Sequence, residues 1–576
     1  MSDKIDISVV VITHNKASYL EACLNCLGQT TFARHRLEVI VVNDGSTDRT
    51  RDLLDAYSAT YTLSAIHKEQ GGISSARNAG IADAAGELLV MLDEDCLPDP
   101  SALQNLWDAY RANPTALFIA NVIHIDVCHV SGVCARVNRG SMDFMETVDT
   151  LSPQAYTFAL QPILRSIKEH LDELEVGWIG AQGPSVSMSR QMWAEVGGYD
   201  ETFRKYGMED FDLAFRFRSQ GGRLLYVENA ILYHLDHGHD KTRLFAEATL
   251  SVKQFYRKHA ATPEAKPFMD FILGGISFLA FNNRVARLKG KAEVDLPCLD
   301  KTFSAYEMAK YRGSQVASQP TPPVEYRYNS SQQFCLNLLV KKLRHDIDLD
   351  PPQAAEKLAF EKGLHSRVLV VAPHMDDEVI GCGGAIASCA EAGIRMSVAF
   401  CTSGAGGVVR RRQDQPSDVS QVTGKRVDES REAASLLGIE QVVHLNGAEG
   451  RLSKNPGGAA ELIDLCNNES FDTVFIPGAR EMHPDHIVVS RWITDHLSRL
   501  TKAKHIFEYE VWGSCSPTHY IDLDSKAWER KRKALLAYDT QLKELDYLTV
   551  MDFLATTRGV QIGSTSGRAE VYRRIR

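Results

Sequence analysis

Residues 367–378 read RVLVVAPHMDDE. A nearly unbroken apolar run ends at a proline turn, and one histidine and three carboxylates follow within five residues, His374 to Glu378. Such a run fits a parallel strand buried on both faces, and open parallel sheets hold their ligands beyond the carboxyl ends of their strands. The polar cluster therefore stands where an α/β fold keeps its chemistry. The glycine-rich stretch Val379 to Gly384 comes directly after it.

Working outward, further strand-like runs occur at MSVAFCT (396–402), QVVHL (441–445) and DTVFIP (472–477), with helical patterns between them. The last is followed by His483-Pro484-Asp485-His486, with Pro484 suited to open a helix because its missing N–H is an orphan there. Both polar clusters lie at carboxyl ends of predicted parallel strands and can face one another across the sheet. Two histidines and one aspartate make a three-ligand site with a fourth position open to water, as catalytic zinc requires. Zinc lowers the pKa of its water from 15.7 to about 7, and a free carboxylate nearby can then take the proton. The bland alternative is a pair of polar turns.

The amino-terminal half has the same strand-then-helix rhythm, from Ile7 to about His237, with runs at ISVVVIT (7–13), LEVIVVND (37–44) and GELLVMLD (86–93). The second run ends in NDGSTD, where Asp44 can accept hydrogen bonds from a uracil or ribose edge. Residues 71–80, GGISSARNAG, join a flexible turn to the fixed cation of Arg77 and suit a diphosphate. The third run delivers Asp93-Glu94-Asp95, and Asp93 and Asp95 can hold Mg²⁺ or Mn²⁺. Glu209 and Asp210 precede a helical run, and His234 follows another strand-like run. His234 can reach the metal or the departing diphosphate, or stand as a hydrogen-bonded surface histidine. Trp178 and Trp193 can line an acceptor or fill the core. The C-x-x-C pair Cys23 and Cys26 falls on one face of a predicted helix, where core packing competes with a metal or redox role.

The chain of 576 residues is 44% hydrophobic and 24% charged, with material for more than one packed core. A net charge of −10 gives no electrostatic reason to expect nucleic acid as a partner. The longest apolar stretch, Phe271 to Phe281, falls short of the ~20 residues of a membrane-crossing helix. The opening MSDKIDISVVVITHN reads as a first strand rather than a signal peptide, and twelve cysteines are too few for a disulfide scaffold, so the expected compartment is the cytoplasm. The loop-like 313–331, GSQVASQPTPPVEYRYNSS, is the candidate linker, and a helix is expected around Phe268 to Leu288. These features divide the chain into 1–260, a helical segment and linker over 261–364, and 365–576.

The ordered set THN (13–15), NDGSTD, GGxxxARNxG, the D-x-D strand end and Glu209-Asp210 resembles the family 2 glycosyltransferases of the GT-A fold, over roughly residues 5–240. That resemblance implies a Rossmann-like GT-A domain performing inverting transfer from a nucleotide diphosphate sugar. Asp44 would bind the nucleoside and Asp93 and Asp95 the metal–diphosphate. Glu209 or Asp210, with Asp210 favoured, would be the base that deprotonates the acceptor hydroxyl. His14 stands where the family more often carries an aromatic residue.

The carboxyl-terminal residues resemble the PIG-L/LmbE-type N-acetylglucosaminyl deacetylases, usually marked by A-P-H-P-D-D-E with a distant H-P-D-H. The match includes Arg426-x-x-Glu429 and a closing Glu570-Val571-Tyr572-Arg573. It implies a second Rossmann-like domain in which His374, Asp377 and His486 ligate zinc and Asp376 is the general base. His483 would polarise the amide carbonyl and stabilise the oxyanion, and Arg426 would contact the sugar or its substituent. Asp485 and Glu378 would orient ligands from behind, while Cys382 and Cys401 pack. Met375 replaces the usual proline and removes no ligand.

Together the halves imply consecutive steps on one sugar. An N-acetylhexosamine would pass from a UDP-linked donor to a small-molecule acceptor in secondary-metabolite or antibiotic assembly, and its acetamide would then be hydrolysed. The rival expectations are that one half is a non-catalytic binding module, that the chain modifies a cell-envelope glycan, or that it is a scaffold.

Overall fold

The structure is a computed structural model; it describes residues 4–125, 133–134, 137–138, 161–181, 183–235, 241–272, 275–300, 355–360, 365–404, 419–455, 457–543 and 546–576. The predicted linker 313–331 lies outside the described residues. The chain divides into two compact units, residues 1–327 and 328–576.

The strands of the first unit are β1 (Ile7–Thr13), β2 (Leu37–Asp44), β3 (Thr62–Lys68), β4 (Leu88–Asp93), β5 (Cys96–Pro98), β6 (Ala116–Ile125), β7 (Val186–Ser189) and β8 (Arg223–Leu235). They form one sheet in the order β3-β2-β1-β4-β7-β6-β8-β5. β1 pairs in parallel with β2 on one side and β4 on the other, and β2 pairs in parallel with β3. The chain thus leaves β1 toward one edge and later crosses back to its other side, which makes a topological switch point between β1 and β4. The register Thr13↔Asn43 and Ile12↔Asp93 sets the THN, NDG and D-x-D ends side by side there. β7 and β5 run antiparallel to their neighbours.

Val9, Val11, Val39, Val41, Leu88 and Val90 form the core on one face with Leu20 and Leu24 of the helix Ala17–Leu27. Cys23 and Cys26 are buried in that cluster, which is the packing role expected for them. Trp178 and Trp193 are each 1% exposed, so both are core rather than acceptor lining. Trp178 stacks on Phe255 at 5.4 Å and meets Phe268 at 5.6 Å. Rings of this size each bury roughly 150–250 Å², enough to tie the helices Lys241–Lys258 and Ala265–Ile272 to the sheet unit. The single helix expected over Phe268 to Leu288 is instead two, Ala265–Ile272 and Phe278–Leu288. Gly275 N–H donates to the Asp270 carbonyl after the first, and the Ser277 hydroxyl caps the second by accepting from Ala280 N–H.

The second unit contains β9 (Glu356–Lys357), β10 (Arg367–Ala372), β11 (Arg395–Thr402), β12 (Gln441–Gly447), β13 (Thr473–Pro477), β14 (His505–Tyr509), β15 (His519–Asp522) and β16 (Ala569–Arg574). Their order is β12-β11-β10-β13-β14-β16-β15-β9. From β12 to β14 every pairing is parallel, and β16 runs antiparallel to β14 and β15. The switch point falls between β10 and β13, which places the ends Ala372 and Pro477 together.

The helix Asp377–Glu391 follows β10 and packs closely through its glycines. A Cβ on Gly381 would stand 2.3 Å from the Tyr509 ring, and one on Gly384 2.2 Å from Leu523 and 2.8 Å from Glu570. Glu570 on β16 accepts from Gly384 N–H at 2.7 Å and Ala385 N–H at 3.0 Å, while Lys531 donates to the Ile380 carbonyl at 2.8 Å and to Glu570 at 2.5 Å. A fully buried ion pair thus engages backbone groups in the middle of this helix, with its hydrogen-bonding capacity well used.

Candidate functional sites

In the first unit, β2 ends in Asp44, whose carboxylate closes a turn. Its Oδ1 accepts from Lys68 Nζ and Gly71 N–H and its Oδ2 from Gly72 N–H, each at 2.8 Å. Three of about four acceptor positions on a carboxylate are therefore filled by the chain itself. Gly45 and Gly72 have φ of 75° and 89°, values that side chains resist, so glycine at both lets the NDG turn meet the GG segment. His14 Nδ1 lies 2.9 Å from the Asp44 carbonyl oxygen.

Arg77 is 2% exposed and faces carboxylates rather than an opening. Its Nη1 lies 3.0 Å from Asp210 Oδ1 and 3.5 Å from Glu209 Oε1, and its Nη2 lies 3.1 Å from Asp93 Oδ1. The Tyr199 hydroxyl donates to Asp210 Oδ1 at 3.1 Å, and the guanidinium stands over the Tyr199 ring. Asp93, Glu209 and Asp210 are thus gathered by one cation, a grouping that the GGxxxAR spacing did not reveal. Glu209 and Asp210 open the helix Glu209–Ser219 after Met208, a non-glycine residue at φ 75°. Burial pushes the Glu209 carboxyl up to about 7, and it raises Asp210 too, with Arg77 opposing.

Asp95 is 2% exposed and stands beside His234 because Cys96 on β5 pairs with His234 on β8. Asp95 Oδ1 lies 3.5 Å from His234 Nε2, and ligand atoms of Asp95, Cys96 and His234 lie within 4.8 Å of one another. Asp95 Oδ2 takes Lys16 Nζ at 2.8 Å, and Glu94 Oε1 lies 3.5 Å from the same ammonium. A carboxylate with an imidazole beside it is a donor set that fits a divalent ion, with the imidazole leaning away from Mg²⁺, which prefers oxygen. Lys16 follows THN directly, but the sequence carried no sign that it would meet a residue 79 positions later.

The second unit's site is tighter. His374 Nδ1, His486 Nε2 and Asp377 Oδ2 form a triangle with sides of 3.2, 3.1 and 3.2 Å. Ligands around an ion with bonds near 2.0 Å in a tetrahedron stand roughly 3.3 Å apart, so three vertices are in place. Each histidine is backed by a carboxylate on its other nitrogen: His374 Nε2 lies 3.3 Å from Asp485 Oδ2, and His486 Nδ1 lies 3.4 Å from Glu481 Oε2. That is the arrangement that fixes metal-binding imidazoles. Glu481 also accepts from Val511 N–H and Trp512 N–H, a role the sequence reading missed because no motif includes it.

His483 caps the helix Pro484–Thr494, and Asp485 N–H donates to its Nδ1 at 3.2 Å. Nδ1 is thereby the acceptor, and in the neutral ring the proton falls on Nε2. Burial also lowers the His483 pKa. Asp376 has φ 137° and ψ −26°, a strained backbone for any side chain, and burial pushes its carboxyl up to about 7 against the pull of Arg426. Arg426, 2% exposed, donates through Nη2 to the Met375 carbonyl and lies over the Tyr538 ring. Its Nε and Nη1 make no hydrogen bond among the described residues. Glu378 receives the Tyr538 hydroxyl at 2.5 Å, and burial raises it to about 8. Cys382 and Cys401 are buried, as expected of packing residues.

Family models match segments of both halves. The model of Glycosyl transferase family 2 matches residues 8–143, that of the N-terminal domain of galactosyltransferase 174–239, and that of GlcNAc-PI de-N-acetylase (PIG-L) 369–497. Validoxylamine A glucosyltransferase of Streptomyces hygroscopicus subsp. jinggangensis is 26% identical over 263 residues, 44% of this chain and 61% of that protein. Glycosyltransferase AglE of Haloferax volcanii is 35% identical over 100 residues, 17% of this chain and 33% of its own. The chain thus spans less than two thirds of these relatives. N,N'-diacetylchitobiose deacetylase from Pyrococcus horikoshii, in a complex with its inhibitor MPG, has a TM-score of 0.32 at 22% identity, covering 37% of this chain and 84% of that one. Among the described residues no helix is long and apolar enough to cross a membrane. The chain joins a glycosyltransferase family 2 domain of the GT-A type to a PIG-L deacetylase domain.

Proposed function

We propose that the protein is a bifunctional enzyme acting twice on one sugar. The first unit transfers an N-acetylhexosamine, with inversion, from a UDP-linked donor to a small-molecule acceptor. The second then hydrolyses the acetamide of the glycoside and releases acetate. The observation that carries this reading is the His374–Asp377–His486 triangle, since a deacetylase paired with a transferase implies an acetylated sugar.

In the second unit His374, Asp377 and His486 would hold zinc, which when bound supplies a water nucleophile at neutral pH. Asp376 would take the proton of the attacking water; a carboxyl raised to about 7 by burial suits both accepting it and later giving it to the departing amine. His483 donates its Nε2 proton in a hydrogen bond to the developing oxyanion. The N–H groups of Arg426 Nε and Nη1, which meet no acceptor among the described residues, suit hydroxyl or carbonyl oxygens of the sugar.

In the first unit Asp44 would bind the nucleoside, and Asp93, Asp95 and His234 would hold Mn²⁺ or Mg²⁺, which when bound neutralises charge on the leaving diphosphate. Asp210, with Glu209 beside it, takes the acceptor hydroxyl proton as that oxygen attacks C1. Arg77 acts by keeping Asp93 and Asp210 in place, since it is buried between them. Similarity to an enzyme named for the acceptor validoxylamine A supports a small-molecule acceptor here.

The test is to incubate the protein with UDP-N-acetylglucosamine and a panel of candidate aglycones, following products by mass. The expected course is an acetylated glycoside that becomes a free amine with release of acetate, the second step stopped by a chelator and restored by zinc. Failure to release acetate from any N-acetylhexosaminide overturns the reading.

A further inference from the structure

The carboxylate best placed to hold the first unit's divalent ion already carries a cation from its own chain. Lys16 Nζ lies 2.8 Å from Asp95 Oδ2 and 3.5 Å from Glu94 Oε1. The two carboxylate side chains are 4% and 8% exposed, whereas that of Lys16 is 25% exposed. The other Asp95 oxygen faces His234 Nε2 at 3.5 Å. A divalent ion seated on Asp95 and His234 would share its carboxylate with an ammonium a few ångströms away. Like charges in so buried a place repel strongly, because water does little there to screen them. The lysine differs from the ion in one respect: its flexible four-carbon stem is partly in solvent, so its head can leave while the carboxylates stay.

We propose that Lys16 is a resident counter-ion of the donor site, competing with the divalent cation for Asp95 and Glu94 and passing to the donor's diphosphate when both arrive. Metal alone must displace the ammonium from both carboxylates. Metal with a nucleoside diphosphate gives the evicted ammonium two anionic phosphates. Cation and nucleotide therefore bind more tightly together than separately, and by linkage each strengthens the other equally. In the empty site the same lysine keeps two buried carboxylates compensated. The inference rests on reading the first unit as a metal-dependent nucleotide-sugar site.

The experiment measures Mn²⁺ binding by the electron paramagnetic resonance of the free ion, with and without UDP. It uses the full chain carrying His374→Ala and His486→Ala, so that the second unit's site does not contribute. Adding Lys16→Met should tighten Mn²⁺ binding without UDP on the order of tenfold and shrink the strengthening produced by UDP. Lys16→Arg, which keeps the charge, should behave like the parent. Equal Mn²⁺ affinity in Lys16→Met and parent, or an unchanged effect of UDP, overturns the proposal. Asp95→Asn separates the two levels of argument: it should abolish Mn²⁺ binding, and if it does not, the metal reading of the site fails as well.

Discussion

Both units place their polar residues at a switch point of a parallel sheet, yet the two sites balance their buried carboxylates with different residues. The second unit's triangle is made of one carboxylate and two imidazoles, each imidazole backed by a further carboxylate. Its ligand atoms already stand at the separations an ion imposes. The first unit instead gathers Asp93, Glu94, Asp95, Glu209 and Asp210 and holds them with Arg77 and Lys16. Against the opposing effect of burial, Asp377 and its carboxylate neighbours raise His374 to about 10 and His486 to about 9, so the second site's own imidazoles offset its carboxylates, whereas the first relies on Arg77 and Lys16. One site is balanced by imidazoles that are also its candidate metal ligands, the other by an arginine and a lysine.

The largest effect expected from this contrast is on hydrolysis. Asp377→Ala should reduce acetate release by about 10³-fold or more while leaving sugar transfer intact, so the acetylated glycoside accumulates. Loss of transfer in the same variant, read as UDP release, would break the independence of the two sites. Next comes the carboxylate behind His486: Glu481→Gln should weaken zinc binding roughly 10–100-fold, measured by competition with a chromogenic chelator. An unchanged affinity would show that Glu481 serves only the 511–512 backbone.

The pH response of the first site is smaller but diagnostic. Glu209 titrates near 7 because it is buried, so the transfer rate should rise up to tenfold per unit to about pH 7 and then level off. Glu209→Gln, which removes the titrating group, should abolish that inflection; an inflection that persists unchanged assigns it elsewhere. The sign for stability is the reverse. A folded value above the ordinary 4.5 means that this carboxyl's contribution to stability falls as pH climbs from about 4.5 through 7.

The smallest effect contrasts two buried lysines. Lys531 is matched by Glu570, whereas Lys168, on the helix Gln161–Glu169, meets the Ala120 carbonyl at 3.4 Å and the Tyr226 ring but no carboxylate among the described residues. Burial lowers Lys168 to about 8. Because that is below its unfolded value of 10.5, the penalty is complete below pH 8 and is relieved as pH rises toward 10.5. Lys168→Met should therefore stabilise the protein by about 1–2 kcal/mol at pH 7 and by little at pH 10.5, read from denaturant unfolding.

What the sequence made legible follows from range. Strands β1, β2, β4, β10, β11 and β13 were visible because strands covered on both faces need continuous apolar runs, and the half-exposed edge strand β12 because Val442 and Val443 still mark it. β3 was not, since it lies at an edge with its residues half exposed and offers no such run. The short antiparallel β5 and β7 were hidden for a related reason: three or four residues are too few to show a period. In the second site the ligands were legible because each sits within a dense polar motif at a strand end. Glu481 and the Lys16–Asp95 contact were not, because they arise where distant segments fold together. Arg77 was recognised as a fixed cation, but its partners lie up to 133 positions away, and only the fold shows that they are carboxylates of its own chain.

The reach of Glu570 into the helix Asp377–Glu391 bears on how this chain folds. That helix begins with Asp376 and Asp377, yet two of its mid-helix N–H groups are bonded by a side chain from β16, nearly two hundred residues later. During synthesis His374 and Asp377 leave the ribosome long before the strand that braces their helix. A nascent chain halted before Ala569 would carry His374, Asp377 and His486 and lack the brace, so their site should mature only once β16 has emerged.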